Sequence, residues 1–271
     1  MKTLPSVLVE STQAVAHVTL NRPDRRNAYD GRLMAELRIA FEQIEKAASI
    51  RVVVLTGAGA AFCAGADLQW MRPLSPVSDA QARADAEQLS VMYRAIDECP
   101  CPVIGRVNGS AFGGGVGLLA VCDIVVAADH ATFALSETRW GLVPAVISPF
   151  LLRKAGESFM RRYCLTGEVF SASVAKQFNL IHEVVVKDRL DTRVSELIEA
   201  VLQVAPLAAK DTKVLLRKLL SLEESDRRPV SVEANAQARL SVEASEGIRA
   251  FVDKRAPAWV PQKQEPRQQN R

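Results

Sequence analysis

Aromatic residues make up only 6% of this 271-residue chain, so its core must be built mainly from Ala, Val, Leu and Ile. Charge of one sign is also scarce: 34 Lys and Arg against 31 Asp and Glu leave +3. That is too little over this length to argue for a nucleic-acid partner, although a local basic pocket for a small anion is allowed. No apolar run is long enough to span a membrane. The closest, Val107–Cys122, is too short and contains five glycines with Asn108 and Ser110. The start, MKTLPSVLVE, lacks the apolar core and cleavage site of a signal peptide. The five cysteines, Cys63, Cys99, Cys101, Cys122 and Cys164, are odd in number and form neither a CxxC pair nor a Cys/His cluster at zinc spacing. Buried reduced thiols in a cytoplasmic protein, with no metal, are the expectation.

Familiar catalytic patterns are missing too. There is no GxxxxGK[ST] loop, and Gly109-Ser110-Ala-Phe-Gly113 puts serine in the wrong place for GxSxG. None of the three histidines, His17, His130 and His182, stands beside a nucleophile in a recognisable pattern. What is present is a globular composition: 48% hydrophobic and 24% charged residues exclude a disordered chain.

Alternation over Val7–Glu10 and Val15–Leu20 predicts a hairpin, which Asn21–Asp24 stops. Asp30 is placed to cap a helix whose apolar face is Leu33, Leu37, Phe41, Ile44 and Ala48. Val52–Thr56 reads as a strand covered on both faces and is followed by a small-residue loop, Gly57–Gly65. Arg72–Ser78 reads as a surface loop, and Asp79 as the cap of a helix turning Leu89, Met92, Tyr93 and Ile96 inward. Pro100 and Pro102 end that helix. Val103–Val107 and Asp123–Ala127 are two more buried strands, with the glycine cluster Gly109–Gly117 between them. This is an α/β pattern. After about Pro149 only Ile181–Val186 reads as a strand. Helical patterns dominate: Glu157–Leu165, Ser173–Phe178, Val194–Val204, Ala208–Leu220 and Val232–Phe251. The tail, Pro257–Arg271, is rich in Pro, Gln and Arg and is expected to be flexible.

Chemistry concentrates in two segments. Ala61–Leu68 and Asn108–Leu118 each follow a buried strand and have the form of a small-residue turn leading into a helix start. Helix starts carry unpaired backbone N–H groups, and small residues let a ligand approach them. Two such turns on neighbouring strands can aim two donors at one oxygen, an oxyanion hole made of backbone. Taken singly, a glycine cluster after a strand more often reflects tight packing than a ligand site.

FCAGADL, NGSAFGGGVGL, CDIVVAA and FALSETRWGLVP occur in the order and spacing of the crotonase family, the enoyl-CoA hydratases and isomerases. The resemblance runs from NRPDRRNA to EGIRAFVDKRAPAW, nearly the whole chain. It implies a crotonase-type ββα spiral core over 1–200 and a helical C-terminal trimerisation region over 201–256, with 257–271 a tail. FCAGADLQWMR, AFGGGVGL and LSETRWGLVPAVISPF further resemble bacterial methylglutaconyl-CoA hydratase-like members.

By that resemblance the oxyanion donors are the backbone N–H groups of Ala66 and Gly114, acting on the thioester oxygen of an acyl-CoA. Of the two glutamates that the family's hydratases carry, one matches Glu137; the place of the other is Gly117. A single glutamate can hydrate a double bond if one water delivers its own proton, and it can equally move a proton from carbon to carbon. The family binds CoA with backbone around Asn27 and Ala28 and along Ala64, Gly65, Ala66, Asp67 and Leu68. Where a lysine often follows, this chain has Gln69, so Arg25 or Arg26 is the candidate phosphate contact. Phe251 and Lys254 match positions that reach a neighbouring subunit's CoA site. The resemblance thus implies an acyl-CoA substrate, no cofactor beyond the CoA that is part of it, a homotrimer or dimer of trimers, and hydro-lyase activity. Isomerisation, decarboxylation, thioester hydrolysis and non-catalytic acyl-CoA binding stand as alternatives on the same scaffold.

Overall fold

The computed structural model describes residues 4–12, 14–71 and 77–261. In chain order the elements are β1 (Val7–Thr12), β2 (Val15–Leu20), α1 (Gly31–Lys46), β3 (Val52–Gly57), α2 (Asp79–Asp97), β4 (Val103–Val107), β5 (Ala111–Phe112), α3 (Gly114–Val121), β6 (Ile124–Ala128), β7 (Thr132–Ala134), α4 (Ser148–Thr166), β8 (Phe170–Ser171), α5 (Ala172–Gln177), β9 (Glu183–Val185), α6 (Leu190–Gln203), α7 (Pro206–Leu220), α8 (Glu224–Leu240) and α9 (Val242–Val252). The chain divides into two compact units, Met1–Leu197 and Ile198–Arg271.

In the first unit, six strands form one sheet in the order β1-β2-β3-β4-β6-β9. The β1–β2 hairpin is antiparallel, and every later pairing in that sheet is parallel. The β-branched runs of β3 and β6 suit strands covered on both faces, and Val52–Leu55 and Val125–Ala128 are buried accordingly. A second, three-stranded sheet runs β5-β7-β8. Its strands of two or three residues are too short to show any periodicity in sequence.

The Asp30 side chain accepts from Leu33 N–H at 2.9 Å and starts α1, whose Leu33, Leu37, Phe41 and Ile44 are buried. Each such side chain contributes about 1.5–3 kcal/mol on burial. Ala48 lies beyond the helix end and is exposed, because α1 stops at Lys46. The cap of α2 is Ser78, whose hydroxyl accepts from Gln81 N–H at 3.2 Å, with Asp79 the first helical residue. Of the loop expected over 72–78, residues 72–76 lie outside the described residues, as do residues 262–271 of the tail.

The helix expected from Glu157 starts nine residues earlier, at Ser148, and breaks at Gly156, which has φ +82°. The segment Val232–Phe251 is two helices rather than one. Ser241 adopts extended backbone, ends α8 and accepts from Ala244 N–H at 3.0 Å to cap α9. All five cysteines are buried, and none is joined to another in a disulfide. Among the described residues no helix is long and apolar enough to cross a membrane.

Candidate active site

Two loops of the first unit, on neighbouring parallel strands β3 and β4, are tied together behind a cavity. Cys63 pairs with Ala111 and Tyr29 with Ala66 in isolated parallel bridges. Asn27, fully buried and at φ +57°, donates to the carbonyls of Ala58, Ala61 and Phe62 and accepts from Arg22 N–H. The Arg22 guanidinium donates to the Ala28 carbonyl and reaches Asp67 and Asp30, each at 3.0 Å. Burial works to raise the Asp67 carboxyl. The Gln69 N–H and the Arg22 guanidinium outweigh it and hold that group below the usual carboxylate range. Asn27, Ala28 and Asp67 therefore build the loop rather than line the cavity.

The cavity has a volume of about 550 Å³, and its lining includes Ala64, Gly65, Ala66, Leu68, Gly114 and Glu137. Tyr29 N–H bonds to the Gly65 carbonyl and Asp67 N–H to the Tyr29 carbonyl, both at 2.8 Å, so the ladder passes over Ala66 N–H. Gly114 opens α3, and its N–H has no intrahelical partner. Both proposed donors thus border one cavity, and α3 adds the positive end of its dipole.

Glycine is required at Gly65, which has φ +84° and where a Cβ would lie 2.6 Å from the Phe112 carbonyl oxygen. At Gly114 the reason differs from ligand approach. A Cβ there would lie 1.9 Å from the Tyr29 hydroxyl and 2.7 Å from that of Tyr93. The Tyr93 hydroxyl donates to the Gly114 carbonyl at 2.6 Å. At the far end of α3, the Lys154 ammonium donates to the carbonyls of Leu119 and Cys122. The helix is therefore held at both ends.

Glu137 begins a short 3₁₀ turn, Glu137–Trp140, after β7. Its Oε1 would be 3.1 Å from a Cβ on Gly113, and its Oε2 is buried without a hydrogen-bond partner. Burial pushes its carboxyl above the usual range. Asp123 accepts from Val103 N–H at 2.7 Å and His182 Nδ1 accepts from Val125 N–H at 3.0 Å, structural roles for both. Cys63 is likewise inert, its thiol pushed up to about 12 by burial. Among the described residues no three His, Cys, Asp or Glu side chains cluster as a metal site.

Gly117 is buried in α3, and a Cβ there would lie 2.4 Å from Ile147 Cγ2 and 3.1 Å from Tyr93 Cε1. Hydrocarbon fills the second carboxylate's place. Gln69 accepts from Arg25 at 2.6 Å, which fixes that guanidinium beside the loop. In the second unit, Phe251 is 86% exposed, and Lys254, at φ +55°, turns the chain after α9. The residue that sequence reading missed is Tyr29. It follows the resemblance's Asn27-Ala28, and nothing in its own pattern distinguishes it from core.

A cavity bordered by two backbone donors and one buried carboxylate suits chemistry through a thioester enolate. Residues 10–262 match the enoyl-CoA hydratase/isomerase family model. An enoyl-CoA hydratase of Mycobacterium tuberculosis, EchA19, is 33% identical over 93% of this chain and 96% of its own. Mevalonyl-coenzyme A hydratase sidH of Aspergillus fumigatus is 33% identical over 93% of each chain. An enoyl-CoA hydratase structure from Shewanella pealeana superposes with TM-score 0.89 at 36% identity, covering 94% of this chain and 96% of that one. AtuE of Pseudomonas aeruginosa does so with TM-score 0.91 at 34% identity, covering 94% and 100%. The chain belongs to the enoyl-CoA hydratase/isomerase family, and its fold is that of the crotonases.

Proposed function

We propose that this enzyme adds water to a 2-enoyl-CoA with Glu137 as its single acid/base. The observation that carries this is the Glu137 carboxylate, buried at Oε2 without a partner, lining one cavity with Ala66 and Gly114. The Ala66 and Gly114 N–H groups receive the thioester oxygen. Water oxygen bonds to Cβ, the double-bond electrons move to the thioester oxygen, and a water proton passes to Glu137. The enolate then collapses and takes that proton at Cα. Net addition of one water is complete, with Glu137 ionised again. A raised carboxyl suits both proton transfers near neutral pH.

The hydrocarbon at Gly117 favours a second reading, a Δ-isomerase in which Glu137 moves a proton between Cα and Cγ. A panel of enoyl-CoA thioesters scored for hydration and isomerisation together tests the two. Hydration without isomerisation supports the first reading; isomerisation alone overturns it. The strings FCAGADLQWMR and LSETRWGLVPAVISPF support including a methylglutaconyl-CoA-like thioester in that panel.

Arg25, fixed by Gln69, is our candidate CoA phosphate contact, with the cavity-lining backbone of Ala64, Gly65, Ala66 and Leu68 holding the rest. We assign α7–α9 to self-association as a trimer or dimer of trimers. Leu216, Leu220, Leu240, Val242 and Phe251 are each more than half exposed, an apolar surface that a second copy would cover. Phe251 and Lys254 would then serve a neighbour's CoA site. Five buried cysteines without a disulfide among them suit a cytoplasmic protein.

A further inference from the structure

We infer that the Tyr29 hydroxyl is a second water-holding group of this site, taking the place that a second carboxylate would fill. The inference rests on the hydratase reading above. A water that attacks carbon gives one proton to Glu137 and keeps the other, and the O–H it keeps needs an acceptor while the water is held. With hydrocarbon from Ile147 and Tyr93 packed at Gly117, the second acceptor must come from elsewhere on the cavity wall.

Tyr29 is the group in position. It lines the cavity with Glu137, Ala66 and Gly114. Its backbone is fixed on both sides by the bonds to Gly65 and Asp67. Its hydroxyl lies against Gly114, while Glu137 Oε1 lies against Gly113. The two polar groups thus flank consecutive residues, whose Cα atoms are about 3.8 Å apart.

The hydrogen-bonding capacity of a phenol sets what Tyr29 offers. Tyr93 has one hydroxyl proton and gives it to the Gly114 carbonyl. It is also in hydrogen-bond contact with the neighbouring Tyr29 hydroxyl. A phenol oxygen has one proton and two lone pairs, so beside its contact with Tyr93 the Tyr29 hydroxyl still has a lone pair to offer a water. Burial pushes the Tyr29 phenol far above its ordinary value, so it stays neutral at working pH. Tyr29 takes no proton in the reaction. It accepts a hydrogen bond from the water whose other proton goes to Glu137.

Tyr29→Phe keeps the ring and removes the hydroxyl. Two rates are read on the full-length enzyme: hydration of crotonyl-CoA, which uses the water, and exchange of the α-protons of butyryl-CoA in deuterated water, which uses Glu137 without it. In Tyr29→Phe the ratio of hydration to exchange should fall about tenfold or more, with KM for crotonyl-CoA changed far less than kcat. An unchanged ratio, whether both rates hold or both fall together, overturns the role of Tyr29 alone. Exchange by the unsubstituted enzyme without hydration of any thioester tested overturns the hydratase reading, and this inference with it.

Discussion

Ile147 fills the space that a side chain on Gly117 would need: a Cβ at Gly117 would stand 2.4 Å from Ile147 Cγ2. Where the family resemblance has a glycine-rich stretch after the proline, this chain has Ala145-Val-Ile-Ser-Pro149. Gly117 and Ile147 thus fit one another in volume. Gly117→Glu alone therefore tests packing before chemistry. It should destabilise by about 1–3 kcal/mol or more through overpacking. Adding Ile147→Gly should recover a large part of that loss. Urea unfolding of both single variants and the pair checks this; strictly additive effects would contradict it.

The buried Glu137 carboxyl makes stability depend on pH. Its folded value is raised, so the native state holds the proton more tightly than the unfolded chain. Stability should then fall as pH rises from the ordinary glutamate range through the raised folded value, and stay lowered above it. Glu137→Gln removes this dependence. The variant should be more stable than the unsubstituted enzyme at pH 8 and should lose that advantage near pH 4. Thermal unfolding across that range reads the difference.

Gly65 combines φ +84° with a carbonyl oxygen 2.6 Å from any added Cβ. Gly65→Ala should cost roughly 2 kcal/mol or more, since both the backbone and the Phe112 carbonyl must shift. Binding of a CoA thioester should weaken with it, because Ala66 N–H is the next donor along the chain. Calorimetric unfolding and a CoA-thioester titration test the two effects separately.

Much of this was legible in the sequence. The strands β3, β4 and β6 announce themselves as runs of Val, Ile and Leu, and Asp30 as the cap of α1. The two small-residue loops and Glu137 are carried by short strings whose order is specific. Other features were not legible because their causes are distant in the chain. The second sheet consists of strands too short for periodicity. Ser241 splits α8 from α9 by one extended residue inside an otherwise helical pattern. The crowding of Gly114 by Tyr29 and of Gly117 by Ile147 depends on residues 85 and 30 positions away, which only the fold brings together.

Self-association through α7–α9 predicts a trimer or hexamer in sedimentation at micromolar concentration. Leu216→Lys with Leu220→Lys should shift the distribution toward monomer, since charges cannot be buried in such an apolar surface without cost. A monomer before substitution would remove the assignment. Truncation before Phe251 should weaken CoA binding if the neighbouring subunit's site needs that residue.

The most direct test of the central claim is the α-proton exchange of butyryl-CoA in deuterated water, followed by NMR for the unsubstituted enzyme and Glu137→Gln. Exchange requires an acid/base at Cα and an oxyanion hole, whatever acyl chain the enzyme prefers. The account predicts measurable exchange, lost by about 10²–10⁴-fold in Glu137→Gln while the variant still binds the thioester. Exchange at full rate in Glu137→Gln would contradict it.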